Sequence, residues 1–106
     1  MKVSDYIINY LKENGIDKAF GYAVGAVAHI YDSLDKIEGI EIVNTIHEQS
    51  AGFAAEAYAR VTKKTGVAVA TSGPGTTNLL TPIGSCFFDL VPSLFITGQV
   101  STKEYK

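Results

Sequence analysis

The run Val67-Ala68-Val69-Ala70 constrains this chain more than any other stretch. It is continuously apolar, too short for a helix, and flanked by two segments of helical character, so it reads as a buried parallel strand. The same alternation extends in both directions. Tyr6, Ile7, Tyr10 and Leu11 recur at helical spacing behind Ser4, which reads as an N-cap, and Asn14-Gly15 supplies a left-handed stop. Residues 18–20 suit a short strand ending at Gly21, and a helix from Gly25 would carry Val27, Ile30, Tyr31 and Leu34 on one face. Glu38-Gly39 turns the chain into Ile40-Glu41-Ile42-Val43, a β-branched run expected of a strand. A helix is predicted over residues 48–62, closed by Lys63, Lys64 and Gly66. Another is predicted over 75–87, with Pro82 near its first turns, and a last strand over 91–97. Helix and strand alternating through short connections predict an α/β fold, a parallel sheet with helices on both faces.

Bulk properties narrow the function classes. At 106 residues the chain is one domain at most, and 46% apolar content argues against disorder. The net charge of −2 comes from interspersed signs with no basic stripe, which excludes nucleic acid as an expected partner. Cys86 is the single cysteine and sits in an apolar run, so it reads as a buried structural thiol. The start is polar and amphipathic, unlike a signal peptide, and no apolar stretch reaches membrane-spanning length. A cytoplasmic protein without membrane contact is the expectation.

In open parallel sheets, ligands gather beyond the carboxyl ends of the strands. Three segments fall there: Gly21-Tyr22-Ala23-Val24-Gly25, residues 44–48 and residues 72–78. Glu48 is their only carboxylate. It suits the first turn of a helix, where the macrodipole favours its charge. Alternatively it points into an apolar pocket that raises its pKa and lets it exchange a proton. His47 is a ligand or base, or is simply hydrogen-bonded. The helix after it carries Ala51, Gly52, Ala54, Ala55, Ala57 and Ala59, which permit close approach within the chain or across a subunit interface. Glu56 and Arg60 are spaced for a helix-surface pair. Ser72-Gly73-Pro74-Gly75-Thr76-Thr77-Asn78 is a glycine-rich turn without the lysine of a P-loop or the spacing of a dinucleotide fingerprint. Asn78 and Thr71 offer hydrogen bonds to a heterocycle there, and Pro74 a flat apolar face.

The ordered set of motifs is specific. It comprises His47-Glu48-Gln49-x-Ala51-Gly52-x-x-Ala55-Glu56-x-Tyr58-Ala59-Arg60, then Thr71-Ser72-Gly73-Pro74-Gly75-x-Thr77-Asn78, Asp89-x-x-Pro92 and Ile96-Thr97-Gly98-Gln99-Val100. It resembles the thiamine-diphosphate enzymes, above all the large catalytic subunit of acetolactate synthase, from about Ser4 to Val100. The resemblance implies a pyrimidine-binding (PYR) domain of the thiamine-diphosphate-binding fold, incomplete at its C-terminal end. It implies that Glu48 hydrogen-bonds N1′ of the cofactor's aminopyrimidine and thereby promotes loss of the thiazolium C2 proton. The carbanion then attacks a 2-keto acid, carbon dioxide leaves, and the resulting enamine adds to a second keto acid. Pro74 and Asn78 match the stretch that contacts the pyrimidine, and Tyr22 and Gly25 match the loop that approaches the cofactor.

Two departures stand out: Ala23-Val24 where the synthases usually read Pro-Gly, and Ser50 for the usual Gly. The family's diphosphate-binding (PP) domain, which holds Mg2+, is not in this sequence, and no metal ligand is assigned within it. The implied partner is therefore the PP domain of another subunit or chain, in a homo-oligomer when complete, with the present chain inactive alone. FAD is not supported by any residue here. The alternatives are a keto-acid decarboxylase or other carboligase of the same family, or a non-catalytic PYR-like module that docks a partner through Ala51 to Ala59.

Overall fold

The computed structural model describes residues 1–22 and 25–104. The first helix shows how local signals and tertiary contacts divide the labour. Helix α1 (Val3–Glu13) begins one residue before Ser4, with Lys2 at the cap and no side-chain cap bond. Ser4 is thus not the N-cap. It lies buried in the first turn, its hydroxyl 2.9 Å from that of Ser33, which also donates to Asp5 at 2.6 Å. The helix ends as the sequence predicts: Gly15 takes φ +83°, and the amides of Gly15 and Ile16 return to the carbonyls of Lys12 and Leu11.

Strand β1 (Lys18–Gly21) leads through a 3-10 turn (Gly25–Val27) into α2 (Ala28–Lys36), then β2 (Glu41–Asn44), α3 (Glu48–Thr62) and β3 (Gly66–Ala70). The helix predicted over 75–87 is two: α4 (Pro74–Asn78) and α5 (Leu80–Phe88), meeting at Leu79. Pro82 has no N–H to give the Asn78 carbonyl, so the ladder breaks there. Strand β4 (Ser93–Thr97) starts two residues later than predicted, because Leu90 is left-handed and the Val91 amide returns to the Cys86 carbonyl. The thiol of Cys86 is buried, as expected. No helix among the described residues is long and apolar enough to cross a membrane.

The sheet is parallel, in the order β2-β1-β3-β4, with Phe20 paired to Val43 and to Ala68, and Ala68 to Phe95. Strand β3 is buried along its whole length, and its alternation divides the core in two. Val67 and Val69 join Ala19 beneath α1 and α2, with Ile8, Leu11, Val27, Tyr31 and Leu34. Ala68 and Ala70 join Phe20 on the other face, against Ala51 and Ala55 of α3 and Leu79. Helices on both faces of a parallel sheet are what the alternation required.

Small residues on α3 serve this packing. Ala51, Ala55 and Ala59 are at most 1% exposed. A side chain on Gly52 would meet the Pro82 ring, its Cβ 2.6 Å away, and one on Gly66 would meet the Ala55 carbonyl. These three alanines and Gly52 are taken up by packing within the chain, while Phe53 and Ala57 of the same stretch stay exposed. Glu56 is not a surface residue. It is 7% exposed and accepts from Ser85 Oγ at 2.7 Å and Arg60 Nη2 at 3.2 Å, while Arg60 also reaches Asp89 at 2.6 Å. Arg60→Ala leaves a buried carboxylate with one hydroxyl donor; urea unfolding should show a loss of about 1–3 kcal/mol, against roughly 0.5 kcal/mol for an exposed helix pair.

Candidate functional site

Three strand ends converge at one edge of the sheet. The loop after β1 holds Tyr22 and Gly25, the turn after β2 delivers His47 and Glu48, and the turn after β3 leads into α4 with Pro74 to Asn78. Helix α3 can start at Glu48 because His47 adopts extended backbone and its Nδ1 accepts from the Gln49 amide at 3.0 Å. This cap bond is the role the structure gives His47. The Thr45 hydroxyl donates to the His47 carbonyl and the Thr45 amide to that of Gly21, tying this turn to β1.

Glu48 and Asn78 come together across 30 positions of sequence: Asn78 Nδ2 donates to Glu48 Oε1 at 2.9 Å. A Cβ on Gly75 would stand 3.7 Å from Glu48 Oε2, so the missing side chain leaves room at that oxygen. Gly73 opens the turn with φ +65°, and Pro74 occupies the first helical position of α4 and is exposed. Gly25 also has φ +60°, and Tyr22 is 43% exposed. No hydrogen bond among the described residues joins Tyr22 to the Glu48–Asn78 pair. The departures at Ala23 and Val24 lie outside the described residues.

The carboxyl of Glu48 is lowered from its ordinary value, first by the Asn78 amide, then by a backbone N–H and the nearby His47, with burial opposing. This corrects the expectation of an apolar pocket that raises it. The side chain is only half-buried, so these residues supply one polar wall and not an enclosure. A separate concavity of about 440 Å³ lies away from it along β2, lined by Tyr31, Leu34, Ile40, Ile42 and Asn44 among others.

Thr71 makes a contact between loops that the sequence did not reveal. Its hydroxyl accepts from the Ala26 amide at 3.0 Å. The signal available was its position, one residue beyond a buried strand and between glycine-bearing loops.

A family model described as the N-terminal TPP binding domain of thiamine pyrophosphate enzymes matches residues 1–106. The chain belongs to that family. It is 45% identical over 101 residues to the acetolactate synthase isozyme 2 large subunit of Escherichia coli (strain K12), covering 95% of this chain and 18% of that one. The acetolactate synthase large subunit of Lactococcus lactis subsp. lactis (strain IL1403) is 45% identical over 97 residues, 92% of this chain and 17% of the other. That of Corynebacterium glutamicum is 48% identical over 96 residues, 91% and 15% respectively. The chain therefore spans less than a fifth of the length of these curated relatives. Its parallel sheet flanked by helices agrees with the α/β fold expected of a PYR domain.

Proposed function

We propose that this PYR domain supplies the pyrimidine half of an acetolactate-synthase-like site, one that decarboxylates a 2-keto acid and joins the product to a second keto acid. The observation that carries this is the Glu48–Asn78 hydrogen bond, with Gly75 leaving the space beside the other carboxylate oxygen unfilled by a side chain. The donor set fits an aminopyrimidine: one carboxylate oxygen open to a ring nitrogen, with two loops of glycine and proline backbone beside it. When bound, thiamine diphosphate supplies the carbanion chemistry that a protein side chain lacks.

Glu48 holds and moves the proton at N1′ of the pyrimidine. Asn78 orients it by occupying Oε1, leaving Oε2 for the ring, and His47 fixes the first turn of α3 from which Glu48 projects. Tyr22, Gly25 and Pro74 contact the cofactor from the flanking loops. The diphosphate and its Mg2+ belong to the PP domain of another subunit or chain, most simply in a cytoplasmic homo-oligomer. No residue described here is assigned to FAD.

The test is Glu48→Gln in the chain assembled with its diphosphate-binding domain. Removing a proton-transferring carboxylate should lower acetolactate formation from pyruvate by about 10²–10⁴-fold. Full activity in that variant refutes the assignment. Acetaldehyde as the main product of the unaltered enzyme would favour the decarboxylase alternative.

A further inference from the structure

We propose that Thr71 is a positioning residue that locks the loop after β1 to the loop after β3, setting the spacing of the two walls between which the pyrimidine would sit. The proposal rests on the cofactor reading above and goes beyond it, because Thr71 is itself assigned no contact with the cofactor and borders only Gly25 among the residues that are.

Two hydrogen bonds and two tight approaches of glycine backbone meet at this one residue. Its Oγ1 accepts from the Ala26 amide at 3.0 Å, and its carbonyl accepts from Thr76 Oγ1 at 2.8 Å. A Cβ on Gly25 would stand 2.7 Å from Oγ1, and one on Gly75 2.8 Å from Cγ2. The hydroxyl and the methyl of one β-branched residue thus press on opposite loops, and a single χ1 rotamer sets both. Glycine is needed on each side because Thr71 already fills the space. Ala26 is held from behind as well: a Cβ on Gly98, just past β4, would meet it, and the Gly98 amide is bonded to the Ala70 carbonyl. Gly75 in turn faces Glu48 Oε2. The linkage runs from the β1 loop through Thr71 to the cradle at the carboxylate.

Thr71→Val keeps the shape and removes the hydroxyl; Thr71→Ser keeps the hydroxyl and removes the methyl. Amide exchange of Ala26, followed by NMR on the chain, should accelerate about fivefold or more in Thr71→Val, the size of one net hydrogen bond, and stay near the original rate in Thr71→Ser. With the diphosphate-binding domain present, Thr71→Val should raise the thiamine diphosphate concentration for half-saturation by about fivefold, with kcat at saturating cofactor changed less. Thr71→Ser should restore most of that affinity. Unchanged Ala26 exchange in Thr71→Val, or equal losses in both variants, overturns the proposal. Failure of the unaltered protein to respond to thiamine diphosphate would overturn the cofactor reading instead, and the exchange comparison would still decide the lock.

Discussion

Gly66→Val is expected to unfold the chain or bring it close to unfolding, with a loss of about 3 kcal/mol or more out of the roughly 5–15 kcal/mol typical of a domain. The reason is where the new atoms would go. A Cβ at Gly66 falls against the carbonyl of Ala55, 2.7 Å from its carbon and 3.1 Å from its Cα. All of these are backbone atoms of α3 and none can rotate away. Helix α3 must therefore lift off β3, and the seam of Ala51 and Ala55 on Ala68 and Ala70 opens with it. Gly52→Val should act in the same direction, since its obstacle is the rigid ring of Pro82 on α5. Gly84→Ala is the control. It lies inside α5 with nothing near its added Cβ, and should stabilise by about 0.5–1 kcal/mol through helix propensity. Urea midpoints of the three variants check this. A Gly66→Val midpoint matching the unaltered chain would mean that α3 does not sit on β3 at this distance.

Those two glycines also show what the sequence could and could not reveal. Helix α3 was legible to the residue, Glu48–Thr62, because its stop signals are local and its start follows a strand and a turn. Strand β3 was legible because four consecutive apolar residues between helices have few other solutions. The alanine stripe was legible as a close approach, but not its partner. Whether the neighbour was β3 or another subunit depended on contacts that no spacing encodes. Ser4 and Pro82 failed for different reasons. At Ser4 a tertiary choice decided, since Ser33 drew it into the α1–α2 contact, whereas at Pro82 the signal was local and the missing N–H divides the helix at Leu79. At the site, the sequence placed Tyr22, Gly25, Glu48, Pro74 and Asn78 at one sheet edge by topology. It did not show that Asn78 donates to Glu48, nor that the Thr71 hydroxyl accepts from the Ala26 amide.

Asn78→Ala should therefore raise the pKa of Glu48, and Asn78→Asp should raise it further. In the unaltered chain the Asn78 amide favours the charged carboxylate, holding it below its ordinary value of 4.5. A group lowered in the folded state contributes stability that is fully present above its unfolded pKa and lost as pH falls through the folded one. That acid-side loss should shrink in Asn78→Ala, because the carboxyl then titrates nearer the same pH in both states. In Asn78→Asp two carboxylates would stand where a 2.9 Å hydrogen bond now runs, and like charges at that distance cannot both ionise freely. Side-chain carboxyl NMR across about pH 2–7 should give the order unaltered chain, Ala variant, Asp variant in rising pKa. In the assembled enzyme, Asn78→Ala should also cost about 10- to 100-fold in turnover, the equivalent of a hydrogen bond to a charged group of roughly 1.5–3 kcal/mol. If the pKa order holds and turnover does not fall, Asn78 sets the charge of Glu48 without aiming it. If the three proteins titrate alike, the 2.9 Å contact does not persist in solution, and the free oxygen of Glu48 is not selected by Asn78.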